Sequence, residues 1–262
     1  MNIFIYGNCQ GLGIQHLINL WADVLGIKCK ISVVENYRLI NKELKIDDYL
    51  NDIYGSDILV YQPVHNYGIL STEGPDSFVN GLKSTVEKIS FPYVYNEALW
   101  PVFPDGPALN NSSVLDAALS EGRGKDEILR EYDAGAFDFN FANRYAHTTK
   151  LLRDRESGID IKLSSFLDEY REEKLFLTQN HPTTRVFSFL AGEILGRLGY
   201  ASAVQERVGI FDQLPENIVG LPGEWPIGSY SFEHFRFRYM ENIDGSASAY
   251  YRNLIEQYLS DK

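Results

Sequence analysis

Cysteine is scarce in this chain of 262 residues, which has only Cys9 and Cys29. Two cysteines make no disulfide framework, and no CxxC or Cys/His cluster offers a structural zinc site, so both read as free thiols. No apolar run approaches the ~18–20 residues needed to cross a bilayer. The opening Met-Asn-Ile-Phe-Ile-Tyr lacks the basic stretch and small-residue cleavage site of a signal peptide and reads as a first strand. A cytoplasmic location is the expectation. Basic residues are outnumbered, 24 Lys and Arg against 36 Asp and Glu, for a net charge of −12. A polyanion is repelled by that mean field, which argues against a nucleic-acid partner. A local arginine cluster can still hold a small anion. There are no internal repeats and no low-complexity segment. Asp and Glu are plentiful, but no spacing picks out a ligand set, so no metal is expected. Apolar material is ample: 44% of residues are hydrophobic and 13% aromatic. That is enough for the core of one large domain with an embedded insertion.

The first hundred residues alternate between strand and helix patterns, which argues for a parallel sheet and an α/β fold. Strands are expected at Ile3–Tyr6, Cys29–Val34 and Ile58–Tyr61, with helices over Gln10–Leu25 and Ile46–Ile53. Thr72–Lys88 has helical character, and "FPYVYNEALWPVFP" reads as a strand running into an irregular loop. Residues 101–170 read as a mostly helical insertion or cap, Pro- and Gly-rich at the start. "KLFLTQ" (174–179) returns to a strand, so 1–100 and 171–200 form the expected α/β core of a single domain, 1–262. In "NHPTTRVFSFLAGEILGRLG" Pro182 suits the first helical position, His181 the N-cap and Gly199 the end. Residues 201–262 are loop-rich, with a terminal helix at "SASAYYRNLIEQYL".

Three of these strands end in polar loops: Asn8-Cys9-Gln10, Gln62-Pro63 and Asn180-His181-Pro182. In a parallel sheet the carboxyl ends share one edge, and ligands bind outside it. If the three strands are neighbours, Cys9, Gln62 and His181 meet in one cleft. A cysteine at a helix N-terminus is expected to have a lowered thiol pKa, and the N–H groups there can hold an oxyanion or phosphate. A histidine at a helix N-terminus is biased toward the neutral form that a general base needs. His181 can therefore serve Cys9 as the base of a nucleophile pair, or act directly on a substrate hydroxyl while Cys9 only lines the pocket. Cysteine in a tight turn also serves packing alone. "GNCQGLG" has the glycines of a tight turn but neither a Walker loop nor G-x-G-x-x-G.

Arg144, Lys150, Arg153 and Arg155 concentrate in the helical region, Arg185 falls in the first turn after His181, and Arg236 and Arg238 share a face of a possible strand, "HFRFRY". Most such arginines pair with surface carboxylates; one or two can grip phosphates or a substrate carboxylate. His65 follows Gln62 closely and either lines the same cleft or is exposed. His16 reads as structural, and Cys29 as packing.

"YGNCQ", "QPV" after an apolar strand, "LRDRESGIDIKLSSFL" and "KLFLTQNHPTTRVFSFLAGEIL" occur in an order that resembles the WcbI-type polysaccharide biosynthesis enzymes. The resemblance spans about residues 3–200, and "GNCQ" and "NHP" are its most specific parts. It implies a bacterial protein of capsule or surface-polysaccharide synthesis. It further implies a small SGNH- or flavodoxin-like parallel-sheet subdomain embedded in a largely helical, cradle-like domain. Coenzyme A or acetyl-CoA is the implied ligand, with acetyl transfer to a hydroxyl of a sugar or glycan precursor; other enzymes of polysaccharide biosynthesis are possible partners. Cys9 and His181 are then the expected catalytic pair. Asn8, Gln10, Gly11, Gln62, Asn180, Arg185, Arg144 and Arg153 are the expected ligand-binding residues. Two further readings stay open: an SGNH-like esterase or thioesterase with Cys9 as nucleophile, and a non-catalytic module that binds a glycan or nucleotide.

Overall fold

The computed structural model describes residues 1–100, 102, 113–243 and 245–262. In chain order the strands are β1 (Asn2–Gly7), β2 (Lys30–Glu35), β3 (Ile58–Tyr61) and β4 (Glu87–Ser90). The helices are α1 (Gln10–Leu25), α2 (Asn36–Ile40), α3 (Leu50–Tyr54), α4 (Ser113–Ser120), α5 (Lys125–Asp133), α6 (Phe141–Glu156), α7 (Ser164–Leu167), α8 (Thr184–Leu195), α9 (Ala201–Arg207), α10 (Ser229–Phe235) and α11 (Gly245–Ser260). The chain divides into two compact units. One comprises 1–94, 152–167 and 181–221; the other comprises 95–151, 168–180 and 222–262.

The first unit is α/β. Its sheet is wholly parallel, in the order β2-β1-β3-β4. Phe4, Ile5, Tyr6, Leu59 and Val60 are buried, as expected for central strands covered on both faces. Helix α1 buries Ile14, Leu17, Ile18 and Trp21 on one stripe and ends at Gly26, whose φ of +69° is the left-handed cap that glycine adopts without steric cost. Helix α1 packs against α8 with little room to spare. A Cβ on Gly13 would lie 2.5 Å from a ring carbon of Phe187, so only glycine allows the approach.

Among the described residues of the second unit the regular elements are helices, joined by long loops, with an isolated bridge at Phe176. Its interior is aromatic: Tyr132 stacks on Tyr230 at 5.1 Å between ring centroids, and Phe235 packs edge-on against Tyr170 at 5.6 Å.

Several expectations fail, each for a local reason. The second strand starts at Lys30, leaving Cys29 outside it and half-buried. Thr72–Lys88 is not a helix. Gly74 sits at φ +89° before Pro75, Ser77 caps a single 3-10 turn (Phe78–Gly81) through Val79 N–H at 3.1 Å, and β4 begins at Glu87. That strand precedes Phe91-Pro92, because Pro92 has no N–H for the ladder. Residues 174–179 join no sheet. Leu175–Gln179 are buried without alternation, and their carbonyls serve loops: Leu177 accepts from Trp225 N–H at 2.8 Å and Gln179 from Asn96 N–H at 2.7 Å. Helix α8 starts at Thr184 with Thr183 as N-cap, so His181 lies two residues before the cap. "HFRFRY" is not a strand: His234 and Phe235 end α10, Arg236 caps it at φ +52°, and the rest is loop. Much of the expected irregular segment, 101 and 103–112, lies outside the described residues. The terminal helix and the break at Gly199 (φ +92°) fall where the pattern places them.

Candidate ligand site at the carboxyl edge of the sheet

From β1 the chain passes to β2 on one side and then to β3 on the other, so the strand order reverses between β1 and β3. The two strands pair directly, Tyr6 opposite Tyr61, which puts the Asn8 turn and Gln62 side by side at the carboxyl edge. Ligands of open α/β sheets bind at such a switch point. Here a cavity of about 650 Å³ opens, and the ends of all four strands line it. Asn8 comes from β1, Asn36 from β2, Gln62, Val64 and His65 from β3, and Pro92 and Tyr93 from β4; Ile40, Tyr67, Arg155 and Ile159 complete the wall.

Two buried glutamines shape the turn after β1. Asn8 N–H donates to Gln62 Oε1 at 2.8 Å, and Gln62 Nε2 donates to Gln10 Oε1 at 3.2 Å. Gln10 in turn clasps the β4 loop: its Nε2 donates to Val94 O at 2.7 Å, and its Oε1 accepts from Val94 N–H at 3.1 Å. The first turn of α1 satisfies itself. Gln10 N–H donates to Asn8 Oδ1 at 3.0 Å, Gly11 N–H to Asn8 O at 2.8 Å and Leu12 N–H to Cys9 O at 3.2 Å. The N–H groups expected to hold an anion are thus engaged within the turn. Gly11 packs on the sheet: a Cβ there would lie 3.3 Å from Ile5 Cγ2.

Cys9 is the N-cap of α1, as expected, but its thiol is not activated. Burial pushes its pKa up, the Glu35 carboxylate raises it further, and the N–H groups of Cys9 and Gln10 oppose this only in part. At neutral pH the thiol is therefore protonated, contrary to the lowered pKa expected from the helix terminus alone. The helix effect is worth a fraction of a kcal/mol to about 1 kcal/mol, and desolvation with a like charge outweighs it. Glu35 ends β2 opposite Gly7, accepts from Tyr37 Oη at 2.8 Å and pairs with Arg38 at 3.3 Å. Burial, followed by that hydrogen bond, pushes Tyr37 up to about 12.

The expected binding residues divide. Asn8, Cys9, Gln10, Gly11 and Gln62 form one constellation. His181 precedes α8 in the same unit, and Gly13 touching Phe187 brings the first turns of α1 and α8 together. Of the arginines, Arg155 is on the cavity wall, its guanidinium 5.4 Å from the Tyr93 ring centroid. Arg153 is exposed near the end of α6. Arg185 lies over Phe166 and lines a different cavity of about 400 Å³, together with Trp21, Phe189 and Val208. Arg144 and Asn180 belong to the second unit. Arg144 donates to Glu97 O at 3.2 Å, and burial lowers its pKa; Asn180 Oδ1 accepts from the Thr178 hydroxyl at 3.3 Å. Among the described residues no group of three or more His, Cys, Asp or Glu side chains suits a metal ion, and no helix is long and apolar enough to cross a membrane. Asn36, Tyr67 and Tyr93 also line the cavity and are not among the expected residues. Asn36 carries the same signal as Asn8, a polar residue at a strand end; Tyr93 follows β4, which ends at Ser90, whereas the pattern puts that strand at 91 and beyond.

A parallel sheet whose strand ends enclose a cavity at the switch point defines an α/β protein with a candidate ligand site at the carboxyl edge. More particularly, residues 2–203 match the family model of the polysaccharide biosynthesis enzyme WcbI, and the chain belongs to that family. No curated protein matches it. A solved structure of WcbI shares the fold, with a TM-score of 0.73 at 19% identity over 100% of this chain and 90% of that one. It is described as a novel polysaccharide biosynthesis enzyme, the native protein without a disulfide bond between coenzyme A and one of its cysteines.

Proposed function

We propose that this protein is an acyl-CoA-dependent O-acetyltransferase that acts on a sugar or glycan precursor. One observation carries the reading: the family's GNCQ turn lies at the edge of a cavity of about 650 Å³, within the ~300–1,000 Å³ of small-molecule sites. Coenzyme A binds there as the acyl donor's carrier. Arg155, a cation on the wall of a strongly acidic protein, meets the phosphates. Gln10 and Gln62 hold the turn in shape. The protonated state of Cys9 favours direct transfer over an acyl-cysteine intermediate, because a neutral thiol is a poor nucleophile. Cys9 then sits beside the CoA sulfur. The acceptor hydroxyl needs a base, and histidine is the side chain suited to that role at neutral pH.

Calorimetry with CoA and acetyl-CoA tests this reading. Micromolar binding by the wild type, retained in Cys9→Ala and weakened in Arg155→Ala, is the expected result. If neither ligand binds at millimolar concentration, the reading fails.

A further inference from the structure

The loop after β3 is tied down more firmly than its exposure requires. Val64 N–H donates to Thr72 Oγ1 at 3.0 Å, and Thr72 N–H returns to Val64 O at 2.9 Å. Tyr67 N–H donates to Ser71 Oγ at 2.8 Å. Between His65 and Tyr67 the backbone passes through Asn66 at φ +63°, a left-handed conformation uncommon outside glycine. Both flanking residues line the cavity that Asn8 and Gln62 share. His65 Nδ1 lies 2.6 Å from Glu73 Oε1. A carboxylate only accepts, so a neutral ring bonded to it carries its proton on Nδ1 and its lone pair on Nε2. An imidazole oriented by a carboxylate is the arrangement of a general base. An exposed pair adds little to stability; this one is notable for its place on the cavity wall.

We propose that His65 is the general base of the transfer, with Glu73 as its positioning residue and Tyr67 as the apolar platform for the acceptor sugar ring. The proposal rests on the acyl-transfer reading and deepens it. His65 Nε2 takes the proton of the acceptor hydroxyl as its oxygen bonds to the thioester carbonyl carbon. The carbon–sulfur bond then breaks, and the CoA thiolate takes that proton back from His65, leaving an O-acyl sugar and free CoA.

The test is modification of the full chain by diethyl pyrocarbonate, read at His65 by peptide mass spectrometry, with and without acetyl-CoA. At about ten times the acetyl-CoA Kd, modification slows ~tenfold in proportion to site occupancy. Calorimetry on the same sample separates the failures. Acetyl-CoA binding with no change in the His65 rate overturns the assignment and leaves the transferase reading standing; absence of binding overturns both. A second measurement uses release of CoA thiol from acetyl-CoA with methyl hexopyranosides as probe acceptors. His65→Ala lowers kcat roughly 10²-fold or more with little change in the acetyl-CoA KM, and added imidazole restores part of the rate. Unchanged turnover in His65→Ala refutes the role.

Discussion

Replacing Gln62 by leucine probes the brace that holds the GNCQ turn. Gln62 is 4% exposed, and its carboxamide makes three bonds to two segments: to Asn8 N–H at 2.8 Å and Gln10 Oε1 at 3.2 Å in the turn after β1 and, more loosely, to Pro92 O at 3.5 Å after β4. Leucine fills a similar volume, so the loss is polar. Gln10 Oε1 keeps its bond from Val94 N–H, but Asn8 N–H loses its acceptor. An orphaned, part-buried donor costs about 1–3 kcal/mol. At ~2–4 °C per kcal/mol for a chain of this size, the melting temperature should fall by roughly 2–12 °C. Gln10→Leu removes the other half of the brace, and because the two amides share a bond their effects should couple by about 0.5 kcal/mol or more in a double-mutant cycle. Urea denaturation of the four proteins reads both quantities, and calorimetry with CoA reports whether the turn still binds. A Gln62→Leu stability within ~0.5 kcal/mol of wild type, with additivity to Gln10→Leu, would refute the brace.

Glu35→Gln should speed iodoacetamide alkylation of Cys9 at neutral pH, because removing the carboxylate lowers the thiol pKa and raises the thiolate fraction; an unchanged or slower rate would count against the placement of that charge. The fold favours the protonated thiol. Its contribution is therefore fully present below the unfolded-chain value of ~8.5 and is lost as pH rises through the higher folded value, so Cys9→Ser should flatten the alkaline loss of stability in pH-dependent melts. Gly13→Ala drives a methyl into the Phe187 ring and should destabilise by about 1–3 kcal/mol, with Phe187→Leu recovering part of the loss in denaturant titrations.

Local patterns read the first unit well where strand and helix alternate. β3 matches residue for residue, α1 ends where expected, and the adjacency of β1 and β3, only a supposition from sequence, is real. The reading failed where one pattern fits two structures. "KLFLTQ" is a buried apolar run, and burial on all sides leaves no alternation to separate a strand from an extended loop. Pro182 suits a first helical position, but Thr183 follows and takes the cap.

By itself, the sequence determined the parallel α/β character, the cysteine at a helix N-terminus and the polar residues at strand ends, because these depend on periodicity and turn chemistry within a few residues. Their partners and charge environment come from the tertiary structure. Gln10 and Gln62, 52 positions apart, become one brace when β1 pairs with β3. The Cys9 thiol is raised and not lowered, because β2 delivers Glu35 beside it. His65 stands on the cavity wall, while Arg185 turns to another cavity. Charge proximity and burial depend on which strands lie side by side, and that is a long-range property no local pattern contains.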